Sequence, residues 1–170
     1  EDIEQKATRD GYGDALVELG EKNPNVVVLT GDLSESTRAQ AFQKKFPERF
    51  FDVGVAEQNM MGIAAGLALA GKIPFVSSYA TFSPGRNWDQ LRVSVAYSQA
   101  NVKIAGAHTG VSVGPDGATH QSLEDIALTR VLPGLVVIVP CDYLQTKQAT
   151  LAEAAYKGPV YFRFTREKSP

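Results

Sequence analysis

The sequence predicts a doubly wound α/β fold: a mainly parallel six-stranded sheet with helices on both faces. Three observations carry this expectation. Short apolar runs rich in β-branched residues recur along the chain, the pattern of strands buried on both faces. Stretches with helical apolar spacing separate them, and such alternation marks parallel β-α units. Glycine, proline and asparagine punctuate the joins. At 170 residues the chain is long enough for one domain with a substantial core, and it reads as a single domain, 1–170, without repeat or linker.

Taken in order, residues from about Ile3 to Gly20 read as a helix, with Ala15, Leu16 and Leu19 on one stripe and Gly20 as the stop. Asn23-Pro24-Asn25 is a turn, and Val26–Thr30 is the first strand. Gly31-Asp32-Leu33 turns at its C-terminal end. Ser34 is placed to cap a helix running to about Phe46, which Pro47 stops. Phe50–Val53 is a second strand. Gly54 follows it, then a helix rich in alanine, glycine and leucine, with Glu57 at or near its start and Gly71 at its end. Ile73–Ser78 is a third strand. A loop, Tyr79–Gly85, leads into a helix through Trp88, Leu91, Val95 and Ala96. Val102–Ala105 is a fourth strand, and a long loop, Gly106–Ser122, holds both histidines. Leu123–Val131 reads as a short helix, Pro133-Gly134 as a turn and Leu135–Val139 as a strand. Tyr143–Tyr156 is a helix, and Val160–Phe164 is the last strand.

Composition narrows the function classes. A formal net charge of -2 gives no reason to bind nucleic acid or an anionic membrane. The longest apolar run, Met60–Ala70, is too short to span a bilayer and lies mid-chain. A single cysteine, Cys141, excludes an internal disulfide and fits a reducing, cytoplasmic setting. Gly11-Tyr12-Gly13 precedes the first strand, so it is not a dinucleotide turn; Walker and HExxH motifs are missing from the sequence. Two histidines without clustered cysteines or carboxylates make a poor zinc site.

Four loops then share one sheet edge, where ligands bind in open α/β folds. They carry Asp32-Leu33, Gly54–Glu57, Tyr79–Trp88 and His108–His120. The helix behind Glu57 has almost no charge on any side and so reads as buried. A carboxylate delivered to the mouth of a buried helix is costly unless it meets a partner.

The segments DVGVAEQNMMGIAAGLALAGKIPFVSSYATF and HTGVSVGPDGATHQSLEDIALTRVLPG resemble transketolases in their middle, pyrimidine-binding domain. The similarity is nearest to the C-terminal subunit of split bacterial and archaeal forms, and it runs in order along essentially the whole chain. 1-Deoxyxylulose-5-phosphate synthases and the β subunits of 2-oxo acid dehydrogenases share much of it; GPDGATHQ favours the first two families. The resemblance implies a thiamine diphosphate enzyme that moves a two-carbon ketol unit between sugar phosphates. It implies catalytic roles for Glu57, facing N1′ of the aminopyrimidine, and for His120. Phe82 is implied as the stacking ring, with Leu33 and Asp32 in the same cofactor pocket. His108, Asp116 and His120 are implied to line the sugar channel, and Arg9, Ser36 and Arg166 to contact phosphate. Arg86 is expected to face substrate phosphate, and Trp88 to replace a family aromatic or to pack at an interface.

The family holds the diphosphate through a divalent metal on a Gly-Asp-Gly motif with a downstream asparagine. Here Gly31-Asp32-Leu33 stands instead, so the resemblance implies no metal site in this chain. Mg²⁺ or Ca²⁺ and the diphosphate fall to a partner chain or domain, and the family's diphosphate-binding and C-terminal domains are absent from these residues. A homodimer or heterotetramer is expected, with an apolar face around Met60, Met61 and the following helix either exposed or covered by a second protomer. A non-catalytic partner or binding subunit of the same fold is the rival from outside enzymology.

Overall fold

The computed structural model describes residues 4–169. In chain order the elements are β1 (Lys6–Ala7), α1 (Thr8–Lys22), β2 (Val26–Thr30), α2 (Gln40–Lys45), β3 (Phe50–Asp52), α3 (Glu57–Leu69) and β4 (Ile73–Tyr79). They continue with α4 (Trp88–Gln90, running on as a π-helix over Leu91–Tyr97), β5 (Lys103–Ala107), α5 (Asp125–Arg130), β6 (Val136–Ile138), α6 (Tyr143–Ala155), β7 (Val160–Arg163) and β8 (Lys168–Ser169). The six longer strands form one sheet in the order β3-β2-β4-β5-β7-β6, every neighbouring pair parallel. The expected doubly wound sheet is therefore the observed one.

Its core follows from strand alternation. Val27 and Leu29 of β2, Val76 of β4, Ile104 of β5 and Tyr161 of β7 point to one face, where Met60, Met61, Leu91 and Val95 from α3 and α4 cover them. Val26, Val28, Phe75, Ala105 and Phe162 point to the other, under Tyr12, Leu16 and Phe42 from α1 and α2. Successive strand residues alternate faces, so a continuous apolar run is what a sheet covered on both sides requires. Gly11 lets α1 touch α6 backbone to backbone: a Cβ there would collide with the Tyr143 carbonyl.

Four expectations need correction. First, α1 starts at Thr8, because Thr8 Oγ1 donates to the Thr165 carbonyl (2.9 Å) and the two residues before it pair antiparallel with β8. Ile3, the expected start, lies outside the described residues. Second, Ser34–Ala39 is not helical. Arg38 sits at φ 67°, a left-handed conformation that interrupts a helix, and its guanidinium is held by Asp10 at 2.7 Å. Third, α5 and β6 are shorter than expected. Fourth, α3 is not buried all round. Met60 and Met61 are fully buried, whereas Gly62, Ile63 and Leu69 are exposed. The apolar face therefore exists but is displaced by a fraction of a turn from the methionines. No helix among the described residues is long and apolar enough to cross a membrane.

One buried acid makes the fold's stability depend on pH. Lys103, at the start of β5, donates to the carbonyls of Tyr156 and Gly158 at 2.8 Å each. Glu153 of α6 is buried with both carboxylate oxygens unpartnered. Burial pushes its pKa well above the usual carboxyl value, against the pull of the Lys103 charge. Above the ordinary carboxyl pKa the folded state then binds more protons than the unfolded chain, so stability falls as pH rises through that window. Glu153→Gln is expected to melt close to the parent at pH 4 and several degrees higher at pH 8, at about 2–4 °C per kcal/mol for a chain of this size. Differential scanning fluorimetry across that range checks it; a pH-independent difference would show Glu153 to be compensated.

Candidate active site

All strands of the main sheet run the same way, so the ends of β2, β3, β4 and β5 share one edge. From β2 the chain first adds β3 on one side, then β4 and β5 on the other. That reversal is the topological switch point where such sheets bind ligands. Two turns frame it. Asp52 Oδ1, at the end of β3, accepts from the backbone N–H of Asp32 and from that of Gly54, each at 3.0 Å. Asp32 stands at φ 62° and is exposed; it enters the frame through its backbone.

Glu57 is the first residue of α3 and is 1% exposed. Its Oε2 accepts from Arg86 Nη1 at 2.6 Å; its Oε1 is buried without a partner. A Cβ built on Gly31 would lie 3.6 Å from Oε1, so the backbone after β2 closes that side. The Glu57 carbonyl accepts from Asn87 Nδ2 (3.2 Å), which also donates to Ser83 Oγ (3.1 Å), and this fastens the β4–α4 loop to the head of α3. An oxygen of a buried carboxylate left without a donor costs about 1–3 kcal/mol or more. A ligand donor would relieve it. The partner of Arg86 in this structure is thus Glu57, in place of the expected phosphate. Its side chain is 46% exposed, whereas that of Glu57 is 1% exposed.

Aromatic rings gather beside this pair. The Arg86 guanidinium lies over the Phe82 ring, 4.6 Å from its centroid. Phe82 meets His120 edge-on at 5.3 Å and runs nearly parallel to Tyr79 at 6.1 Å. Tyr79 in turn packs 4.1 Å from His108. The chain therefore brings Glu57, Phe82, His108 and His120 together, and Leu33 packs against the same core cluster as Phe82. Tyr79 is the ring that sequence reasoning misses; its place at the end of β4 is the one signal for it. Trp88 faces inward, its Nε1 donating to the Leu128 carbonyl at 2.8 Å, and does not join the rings.

A second concavity, of about 410 Å³, is lined by Arg9, Arg38, Arg166 and Lys168 with Asp10 and Glu167. Arg9 donates through Nη1 to the Ser36 carbonyl (3.2 Å), and its Nε is buried and unpartnered. Ser36 therefore holds Arg9 through its backbone. Arg166 lies against Gly114, where a Cβ would come within 3.0 Å of the guanidinium carbon. Gly114 at φ 94° is one place where glycine is needed. Asp116, on the exposed tip of the same loop, sends its charge toward His108. Burial first, and the Arg9 and Arg166 cations next, push His108 down to about 4. It is thus neutral at pH 7, a hydrogen-bonding ring and not a cation. Its Nδ1 is buried without a partner. Among the described residues no three His, Cys, Asp or Glu side chains converge as a metal site.

The chain matches the family described as transketolase, pyrimidine binding domain, over residues 4–170. It is 56% identical over 161 residues to a protein of Methanocaldococcus jannaschii provisionally named a transketolase C-terminal section, covering 95% of this chain and 51% of that protein. It is 42% identical over 164 residues to an apulose-4-phosphate transketolase subunit of Phocaeicola vulgatus, covering 96% and 53%. A solved structure described as a split-gene transketolase, inactive beta4 tetramer, superposes with a TM-score of 0.85 at 51% identity, covering 96% of this chain and 53% of that one. The chain thus spans about half the length of these relatives.

Proposed function

The chain belongs to the transketolase family through its pyrimidine-binding domain, and on that premise we propose that it forms one half of a thiamine diphosphate site in a glycolaldehyde-transferring enzyme. The observation that carries this is the Glu57 carboxylate, buried, with one oxygen unpartnered, and joined through Arg86 to the Phe82 ring. These residues fit an aminopyrimidine. Glu57 Oε1 suits a ring nitrogen that shares a proton, Phe82 offers a flat face, and Leu33 an apolar edge. When bound, thiamine diphosphate supplies the electron sink that lets a two-carbon ketol unit leave one sugar phosphate and join another.

Within that assignment Glu57 holds a proton at the ring nitrogen in a site shielded from water. His120 and Asp116 orient sugar hydroxyls, and neutral His108 offers a hydrogen bond without charge. Arg9, held by Ser36, and Arg166 meet the substrate phosphate, for which arginine's fork is suited. The diphosphate and its Mg²⁺ or Ca²⁺ go to a second chain or domain, in a homodimer or heterotetramer in the cytoplasm.

Calorimetric titration of the full-length subunit with thiamine diphosphate and Mg²⁺ tests the half-site. Saturable binding is expected with a diphosphate-binding transketolase subunit present, and binding at least roughly 100-fold weaker without it. Equal affinity in both cases would overturn the division. Erythrose 4-phosphate released from fructose 6-phosphate, with no pyruvate consumed, separates this activity from the 1-deoxyxylulose-5-phosphate synthase type.

A further inference from the structure

We propose that Arg86 is an internal stand-in for the coenzyme ring: its guanidinium fills the space between Glu57 and Phe82 and must swing out before the aminopyrimidine can enter. This rests on the assignment of Glu57 and Phe82 made above. The geometry is that of a bound ligand. One side chain donates to the buried carboxylate at 2.6 Å and lies 4.6 Å over the aromatic ring. A guanidinium is planar, delocalised and rich in N–H donors, and it stacks on aromatic faces. A flat, amine-bearing heterocycle meets a carboxylate and a ring by the same three properties. A heterocycle that stacks on the face of Phe82 covered by Arg86 while reaching Glu57 needs the volume Arg86 holds.

The anchor and the moving part are separate. The Arg86 backbone N–H donates to the Phe82 carbonyl (2.8 Å), and the next residue, Asn87, is fully buried and tied to Glu57 and Ser83. The side chain beyond is nearly half exposed. Displacement therefore takes only rotation about side-chain bonds, a fast and local motion. Until then Arg86 spares the chain an uncompensated buried charge, which is a strongly destabilising state. Loading the site gives up the Arg86 contact at Oε2 as the ring nitrogen reaches Oε1, so Arg86 lowers apparent coenzyme affinity while stabilising the chain without coenzyme.

The test is thiamine diphosphate binding with Mg²⁺, by calorimetry, to the full-length subunit reconstituted with its diphosphate-binding partner. Arg86→Ala is expected to lower Kd about tenfold, the weight of one charge-assisted hydrogen bond. Arg86→Lys, which keeps the charge and loses the planar fork, should fall between. Phe82→Ala and Glu57→Gln should both raise Kd. Unchanged or weaker binding in Arg86→Ala, with Phe82→Ala and Glu57→Gln impaired, overturns the stand-in and spares the site. Unchanged binding in Phe82→Ala and Glu57→Gln overturns the site itself, and the stand-in with it.

Discussion

Glu57→Ala is expected to reduce ketol transfer by the reconstituted enzyme by about 10²–10⁴-fold, the range for loss of a positioned acid-base group. The fold should survive. Glu57 heads α3 and is not a partner of the apolar core; its carboxylate sits buried with one unpaired oxygen. Truncation therefore removes a group that is unfavourable in the folded chain, and the Arg86 it releases is already half exposed. Turnover and thermal melting should separate: activity lost, melting temperature unchanged or slightly raised. Glu57→Gln, which keeps the volume, should lose activity to a similar degree. Near-wild-type turnover in either variant would remove the acid from the mechanism.

Asp125→Ala is expected to have the opposite signature, a loss of stability of about 3–5 kcal/mol. Asp125, at the start of α5, is 1% exposed. Its Oδ2 accepts from the Tyr161 hydroxyl (2.7 Å) and from Arg163 Nε (2.8 Å). Burial, reinforced by the Asp125 charge, raises the Tyr161 pKa well above its usual value, so the phenol stays a neutral donor. Removing the carboxylate strands a phenol and a guanidinium together. Gly106 opposes Tyr161 so closely that a Cβ would strike the hydroxyl, which leaves the ring no retreat. Native stability is of the order of 5–15 kcal/mol, so the loss is a large share of it and corresponds to a melting temperature about 10 °C lower. The exposed Glu18–Lys22 pair is the control: Lys22→Ala should cost about 0.5 kcal/mol or less. An Asp125→Ala effect that small would show the buried trio to be dispensable.

The strands were legible because burial on both faces favours apolar side chains, as in Val26–Leu29. Glu57 was legible because a strand, a glycine and a helix follow one another in a few residues. What stayed hidden depends on tertiary contact. Arg38 leaves helical space to reach Asp10, and no local pattern in Ser34–Phe46 announces it. A helix of alanine, glycine and leucine has no polar stripe, so its exposed side could not be told from its buried one. The two-residue pairing of β1 with β8 is too short for periodicity. Arg86 pairs with a residue 29 positions away, a separation that sequence spacing does not encode.

The shared acceptor at the end of β3 has a dynamic corollary. Because a single oxygen of Asp52 latches the amides of Asp32 and Gly54, neither bend can loosen without straining its twin. Their protons should exchange with deuterium in concert, and the two walls of the crevice should breathe as one hinge.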